Sequence, residues 1–343
     1  MNHCMTISSD DVLWDYYIEK LPEKKQDIYY RKKYYSLNEA ITSGEAELFV
    51  YEEDDNLGVY PYIKRKIDLL TDEYPYYDIE TAYGYGGPIL KNELPEFIDH
   101  FEAAFLEYCI SENIVAEFIR FHPILNNSKI FRKNINVIHN RLTVWVDLRK
   151  SLDEIWMEDI SKQNRNIIRK CIKNGLVVKV SENYDQFFEL YNQTMQKVGA
   201  EEFYYFNTEY FENIKKDSDY ILMEVSRNDE VLAGAIFIKY KNYFHYHLSG
   251  SKIESLKLSP NNLLLWEAIQ FAKLNGCKKM HFGGGLTDSK EDTLFQFKRK
   301  FSSEYADFYI GTRVHNQQIY QNLIKDWELK HGESAKILLQ YRK

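Results

Sequence analysis

The sequence predicts an α/β protein with mixed sheets in two domains, and three observations carry that reading. Alternation of apolar and polar residues at strand-like lengths recurs along the whole chain. In each half these strands are interrupted by amphipathic helices and then resume. At 343 residues the chain is long for one core and suits two domains of about 150 residues.

In the first half the alternating segments are Glu47–Glu53, Gly58–Ile67, Tyr76–Thr81, Val115–His122 and Val137–Leu148. One helix stands out, at Pro95–Asn113, where Phe97, Phe101, Phe105 and Tyr108 mark a face at 3–4 spacing. Proline is tolerated in its first turn. After Arg149 the pattern restarts. Ser151 and Glu154 form a capping box, and Gly175 reads as the left-handed stop of the helical region that follows. Next come a strand at Leu176–Val180 and a helix over Tyr184–Val198. Three strands follow at Tyr220–Val225, Val231–Lys239 and Tyr243–Ser249, turning at Asn228-Asp229 and Lys241-Asn242. A helix at Asn261–Asn275, a strand at Lys278–Phe282, a short helix at Leu294–Phe301, a strand at Tyr305–Arg313 and a last helix from Asn316 complete the chain. The predicted domains are 1–150 and 151–315, tightly joined near Leu148–Ser151 with a cleft between or beside them.

Composition excludes several classes. Formal charge is −8, from 44 basic and 52 acidic residues, so any nucleic-acid contact must be local. The four cysteines are scattered without a CxxC pair or a histidine at ligand spacing, which argues against a zinc finger and for a reducing compartment. No apolar run approaches the ~20 residues that span a bilayer, and the start has acids where a signal peptide needs bases. The expected location is the cytoplasm.

Four stretches carry residues suited to chemistry. Tyr83-Gly84-Tyr85-Gly86-Gly87-Pro88 offers glycines for close backbone approach and two tyrosines for substrate contact, or simply a tight loop. Arg120-Phe121-His122-Pro123 ends a strand, with Arg120 and His122 on one face as ligand groups or as a surface pair. His245, His247 and Ser249 share one face of a strand by alternation. No acidic or cysteine partner makes the histidines a metal site; His247 suits a proton acceptor or a bonded core histidine, and Ser249 a substrate contact. Gly283-Gly284-Gly285, before the helix of Lys298, reads as a generic anion cradle with Gly284 as a ligand position. Lys298 lies beside an apolar face of Leu294, Phe297 and Phe301. Asp292 precedes that helix and is taken with Lys298 and His247 as a catalytic candidate. A basic helix places Lys162, Arg165 and Arg169 on one side, as phosphate ligands or a solvated face.

In order along the chain, six stretches resemble the tandem acetyltransferase-fold superfamily that includes the Fem-type peptidoglycan aminoacyltransferases, and more closely their relatives from bacterial surface-polysaccharide clusters. They are Asp27-Ile28-Tyr29-Tyr30, Tyr83–Pro88, Arg120–Pro123, Gln163–Lys170, Tyr246–Ser251 and Gly283–Gly285 with Asp292–Ser302. The resemblance implies two acetyltransferase-like domains with residues 316–343 packing back on the first, an aminoacyl-tRNA donor in the aminoacyltransferase branch, and a lysine at position 298 that stabilises the tetrahedral oxyanion. Two departures stand out. The chain has no room for the helical arm of the larger members, and Phe206 stands where the short form has a basic residue for precursor phosphates, which argues against a UDP-linked peptide as acceptor. Leu258-Ser259-Pro260-Asn261-Asn262 also lacks the glycine-rich pyrophosphate loop of ordinary acetyltransferases, although Asn261 and Asn262 can supply donors at a helix start.

The function expected is acyl or aminoacyl transfer to an amine or hydroxyl of a glycan or peptidoglycan precursor. No cofactor is tightly bound, and the co-substrate is acyl-CoA, an acyl carrier protein or aminoacyl-tRNA. The partners expected are a nucleotide-linked glycan or peptide substrate and, locally, tRNA. The alternative is a non-catalytic binding protein that kept the fold.

Overall fold

The structure, a computed structural model, describes residues 2–68, 75–131, 135–199 and 205–342. In chain order its first elements are β1 (Asn2–Ser8), α1 (Leu13–Glu19), α2 (Lys32–Thr42), β2 (Glu45–Glu53), β3 (Asn56–Lys66), β4 (Tyr77–Glu80), β5 (Ile89–Leu90), α3 (Pro95–Ser111), β6 (Ile114–Arg120) and β7 (Asn136–Asp147). There follow α4 (Leu152–Glu154), α5 (Lys162–Lys173), β8 (Val177–Ser181), α6 (Tyr184–Val198), α7 (Thr208–Lys215), β9 (Tyr220–Arg227), β10 (Glu230–Tyr240) and β11 (Tyr243–Ser251). The chain ends with α8 (Pro260–Leu274), β12 (Lys279–Gly284), α9 (Thr293–Lys298), β13 (Glu304–Val314) and α10 (Gln317–His331). It divides into two compact units, 1–140 with 307–343, and 141–306, so the limits fall inside β7 and β13.

The two units are built on one plan. In the first, the sheet order is β1-β2-β3-β4-β6-β13, antiparallel throughout except where β4 meets β6. In the second it is β8-β9-β10-β11-β12-β7, antiparallel except where β11 meets β12. Each sheet is closed by a strand from a distant part of the chain. β7, which follows β6 in sequence, pairs with β12, whereas β13, which follows β12, pairs with β6.

Local chemistry accounts for most elements. The α3 residues Phe97, Phe101, Phe105 and Cys109 repeat every four positions and are buried against Phe49, Tyr51, Tyr60 and Tyr62 of β2 and β3. Gly58 of β3 gives that helix its close approach, since a Cβ there would lie 2.4 Å from the Phe101 ring. Pro61, mid-strand in β3, is tolerated because β5 pairs only at 58–59 and β4 only at 63–66, leaving that stretch of the edge without a ladder. In the second unit the capping box of Ser151 and Glu154 is present, Gly175 adopts φ +74, and Asn228 and Asp229 form the β9–β10 turn at φ 50 and 64. The buried face of α8 (Leu264, Leu265, Ala268, Ile269, Ala272) covers one side of the sheet with Phe237, Phe244 and Met280.

The structure adds β1, α1, α2, β5 and α7 to the predicted elements. Helix α2 reads Lys-Lys-Tyr-Tyr-Ser-Leu-Asn, and its tyrosines resemble strand sequence, yet Tyr34, Tyr35, Leu37 and Asn38 form a buried helical face. In the first unit α10 packs Leu323 and Trp327 on Val115 and Ala116 of β6. The following residues are fastened by charge: Tyr341 Oη donates to Asp78 at 3.0 Å and Arg342 Nε to the same oxygen at 2.6 Å. Arg65 bridges Asp78 and Glu80, and Arg120 completes the chain of charges on Glu80 at 3.0 Å. Among the described residues no helix is long and apolar enough to cross a membrane.

Truncation of the α3 stripe should open a cavity that the β2–β3 face cannot close. Phe101→Ala is expected to cost about 3–5 kcal/mol in denaturant unfolding. A loss below about 1 kcal/mol would show that α3 does not anchor this core.

Candidate active site

The second unit holds the densest chemistry, where β11 and β12 part. These strands pair in parallel only over Tyr243–His245 and Lys279–His281, after which β11 runs on to Ser251 along β10 and β12 to Gly284 along β7. On the α8 face beyond that point lies Lys298, the last residue of α9. Its side chain is buried, its Nζ donates to the Gly284 carbonyl at 2.7 Å, and it lies 5.7 Å from the Tyr246 ring centroid. Burial pushes its pKa down to about 7, with Asp292 opposing the fall and Arg141 adding to it. Helix α9 starts at Thr293; Phe301 is in the core and Phe297 packs against it, as the predicted face requires, but Phe295 is buried there in place of the half-buried Leu294.

The donors beside the triple glycine are the residues that follow the glycines, not the glycines themselves, and the anion held there is Asp292. Its Oδ2 accepts from the N–H groups of Leu286 and Thr287 and from the Thr287 hydroxyl, and its Oδ1 caps α9 at Leu294 and Phe295. Burial works against the charge, but these donors hold the carboxyl below its usual range. The glycines have separate reasons. Gly283 takes φ +74, a Cβ on Gly284 would meet the Arg141 stem at 2.8 Å, and one on Gly285 would collide with the Asp292 carboxylate. Asp292 therefore acts on the loop and helix that carry Lys298.

A β-bulge changes the reading of β11. Ile236 pairs with Leu248 and Phe237 with Tyr246, leaving His247 without an opposite residue. His247 stays on the side of α7, where its Nε2 meets Tyr210 Oη at 2.6 Å and its ring lies near Phe206 and Tyr220. Ser249, beyond the bulge, pairs with Ala235 of the α8-side core and hydrogen-bonds Tyr246. The three residues expected on one face are thus split, with Ser249 on the side of Lys298. Burial, reinforced by His245, pushes His247 down to about 3, so the ring is neutral at pH 7 and bonds as a neutral partner to Tyr210.

The basic helix α5 is also divided. Arg165 Nη1 donates to the carbonyls of Trp156, Met157 and Ile160 at 2.7–3.0 Å, closing the turn before the helix. Arg169 is exposed and stacks on Trp156 at 5.3 Å, beside exposed Lys162, Lys170 and Lys173. Asn262 is not presented to solvent; its amide donates to Asn164 Oδ1 at 2.6 Å and locks α8 to α5.

In the first unit three of the singled-out stretches meet. His122 is fully buried, with Nδ1 accepting from the Leu125 N–H and Nε2 at 3.0 Å from Asp27, so Nε2 carries the proton. Tyr30 Oη and Asn127 Nδ2 bind the Gly86 carbonyl, and Tyr34 Oη binds that of Tyr83 at 2.6 Å. Gly84 (φ +90) lies against Tyr29, and the half-buried Tyr85 ring contacts Tyr29, His122 and Phe308. Arg120 is committed to Glu80 and the Thr81 carbonyl, each at 3.0 Å. Sequence reasoning passed over Asp27, Asn127 and Tyr246 as single site residues, and over Arg141 altogether. Arg141 is one arginine in an alternating strand, and no local pattern marks it.

Residues 162–327 match the family model described as the acetyltransferase (GNAT) domain, a span that contains Lys298 and the β11–β12 parting. The UDP-N-acetylmuramoylpentapeptide-lysine N(6)-alanyltransferase of Weissella viridescens is 23% identical over 81% of this chain and 87% of its own length. Among solved structures, FemX matches with a TM-score of 0.70 at 18% identity, covering 93% of this chain and 99% of that one. A tandem GNAT protein from the clavulanic acid biosynthesis pathway matches at 0.53 and 7% identity, over 92% and 99% of the two chains. The repeated sheet plan, the parting strands and these likenesses agree: the chain has a tandem acetyltransferase fold, and residues 162–327 carry its likeness to the acetyltransferase (GNAT) domain.

Proposed function

We propose that this protein transfers an aminoacyl group from tRNA to an amine on a cell-envelope precursor, with Lys298 as its catalytic residue. The observation that carries the reading is a buried lysine held by a backbone carbonyl where two parallel strands separate. The amine of the acceptor attacks the ester carbonyl of the donor, an oxyanion forms, and its collapse expels the ribose hydroxyl, which takes up a proton as the amine loses one. An ammonium has three donors, and Gly284 uses one. The others serve the oxyanion in a site of low dielectric, where a charged hydrogen bond is strongest.

The donor reading rests on α8 and α5. Pro260 at the start of α8 has no N–H, and the Asn262 N–H is bound to the Ser259 carbonyl at 3.1 Å. That leaves few free donors for a pyrophosphate. The exposed bases of α5 suit a polyanionic donor. The named activity of the Weissella viridescens relative points to a muramoyl-peptide acceptor. The deciding experiment incubates the protein with radiolabelled alanyl-tRNA or acetyl-CoA and a lysine-containing UDP-muramoyl peptide. Label from the tRNA should reach the peptide. Saturable binding of these compounds without transfer by the intact protein would mark it instead as a non-catalytic binding protein.

Lys298→Met should lower kcat by ~10²-fold or more. Its effect on stability has the opposite sign. The native pKa is about 7, below the ordinary lysine value of 10.5, so the buried charge weakens the fold fully below pH 7 and progressively less as pH rises toward 10.5. Lys298→Met should therefore raise the melting temperature, more at pH 6 than at pH 9. A melting temperature that falls at both pH values would identify a structural lysine. Wild-type kcat should decline on the alkaline side near pH 7, and Lys298→Arg should move that limb out of range.

On α5, Arg169→Glu with Lys170→Glu should raise KM for the tRNA several-fold and reduce its log–log salt slope by about one for each phosphate no longer neutralised. Arg165→Met should mainly lower the melting temperature, because it uncaps three carbonyls. Unchanged salt dependence in the double variant would remove α5 from the donor site.

A further inference from the structure

Arg141 of β7 is joined to the Lys298 site by an unbroken set of contacts. Its Nη1 donates to the carbonyls of Gly285 at 2.6 Å and Leu286 at 2.9 Å. Its stem lies where a Cβ on Gly284 would have to be. The same loop is held from its other side by Asp292, whose second oxygen caps the helix bearing Lys298. The circuit closes when Lys298 Nζ returns to Gly284. A cation and an anion thus grip one short loop from opposite sides, and the carbonyl between them receives the ammonium.

We infer that Arg141 is the positioning residue of this site: with its guanidinium on the Gly285 and Leu286 carbonyls and its stem against Gly284, it fixes the Gly284 carbonyl as the acceptor for Lys298. Among the described residues the groups facing the ammonium are Asp292 before α9, Arg141 on β7, the Gly284 carbonyl on β12 and the Tyr246 ring on β11. Burial pushes the Tyr246 phenol up to about 12, so it stays neutral wherever Lys298 titrates. The two charges act in opposite directions on Lys298, Arg141 lowering its proton affinity and Asp292 raising it. The arrangement makes Arg141 more than a brace. A brace needs only its hydrogen bonds, whereas this guanidinium tunes the group it supports.

The inference rests on Lys298 being the catalytic cation, and its test separates the two. Lysine side chains carrying ¹³C at Cε are followed by NMR against pH in the intact protein, with Lys298 assigned by its absence in Lys298→Met. In Arg141→Met, which keeps the stem against Gly284, the Lys298 midpoint should rise by about one pH unit. In Asp292→Asn it should fall. Arg141→Lys, which keeps the charge but not the planar group whose Nη1 reaches both carbonyls, should hold the midpoint near wild type and lower kcat ~10-fold through misplacement of the loop. Midpoints unmoved in both Arg141→Met and Asp292→Asn would overturn the inference even if Lys298→Met remains inactive. Opposite shifts in the NMR midpoints with no matching shift in the pH dependence of kcat would uphold it and remove the catalytic role of Lys298 instead.

Discussion

The parallel pairing of β11 with β12 lasts three residues, and the second unit is organised around its end. Two parallel strands that continued side by side would satisfy each other's backbone groups and leave no room between them. Here each strand keeps the antiparallel neighbour on its other edge, β10 or β7, both along the parallel stretch and beyond it. Antiparallel ladders are slightly the more stable per residue, so the separation is supported from both sides. The triple-glycine stretch begins where β12 runs out, the bulge at His247 falls on the matching part of β11, and α9 brings Lys298 over Tyr246. Remove the separation and none of these features has a place.

Burying a lysine is a cost that the fold accepts at this point. The ammonium is buried with the Gly284 carbonyl as its hydrogen-bond acceptor and the Tyr246 ring beside it, and its proton affinity has fallen accordingly. Asp292 is the nearest counter-charge, yet its oxygens are spent on backbone N–H groups and the Thr287 hydroxyl. Attraction reaches Lys298 at longer range and does not neutralise it as a direct ion pair would. A direct pair would make a more stable lysine and a less available one. The site trades fold stability for a cation that still has donors to offer.

The first unit uses its polar groups differently. Its tyrosine hydroxyls donate to the carbonyls of Tyr83, Gly86 and Pro61, and its buried histidine is matched to a carboxylate. This is how loops rich in glycine and proline become ordered inside a protein: each exposed carbonyl finds a donor that also brings an apolar ring. The abundance of tyrosine in the composition has this physical use. It also explains why the glycine loop and the Arg-Phe-His-Pro stretch read as sites in the sequence, since the residue types that organise a loop are those that would bind a ligand.

Much of the local structure was legible because it depends on neighbours in sequence. The capping box at Ser151, the stop at Gly175, the turn at Asn228-Asp229 and the phenylalanine stripe of α3 are all set by spacings of a few residues. The α/β class and the doubled order of elements followed from them. Three things were decided only by the tertiary structure. Which strand closes which sheet was one, because β7 and β13 carry no local mark of their partners and are exchanged. The bulge at His247 was another: alternation assumes an unbroken pleat, and one extra residue sent Ser249 to the opposite face. The last was the company of Lys298. Arg141 and Gly285 of the glycine loop are 144 residues apart in sequence, and their meeting is a property of the folded sheet, where charge, burial and a single carbonyl combine to set the chemistry of one amine.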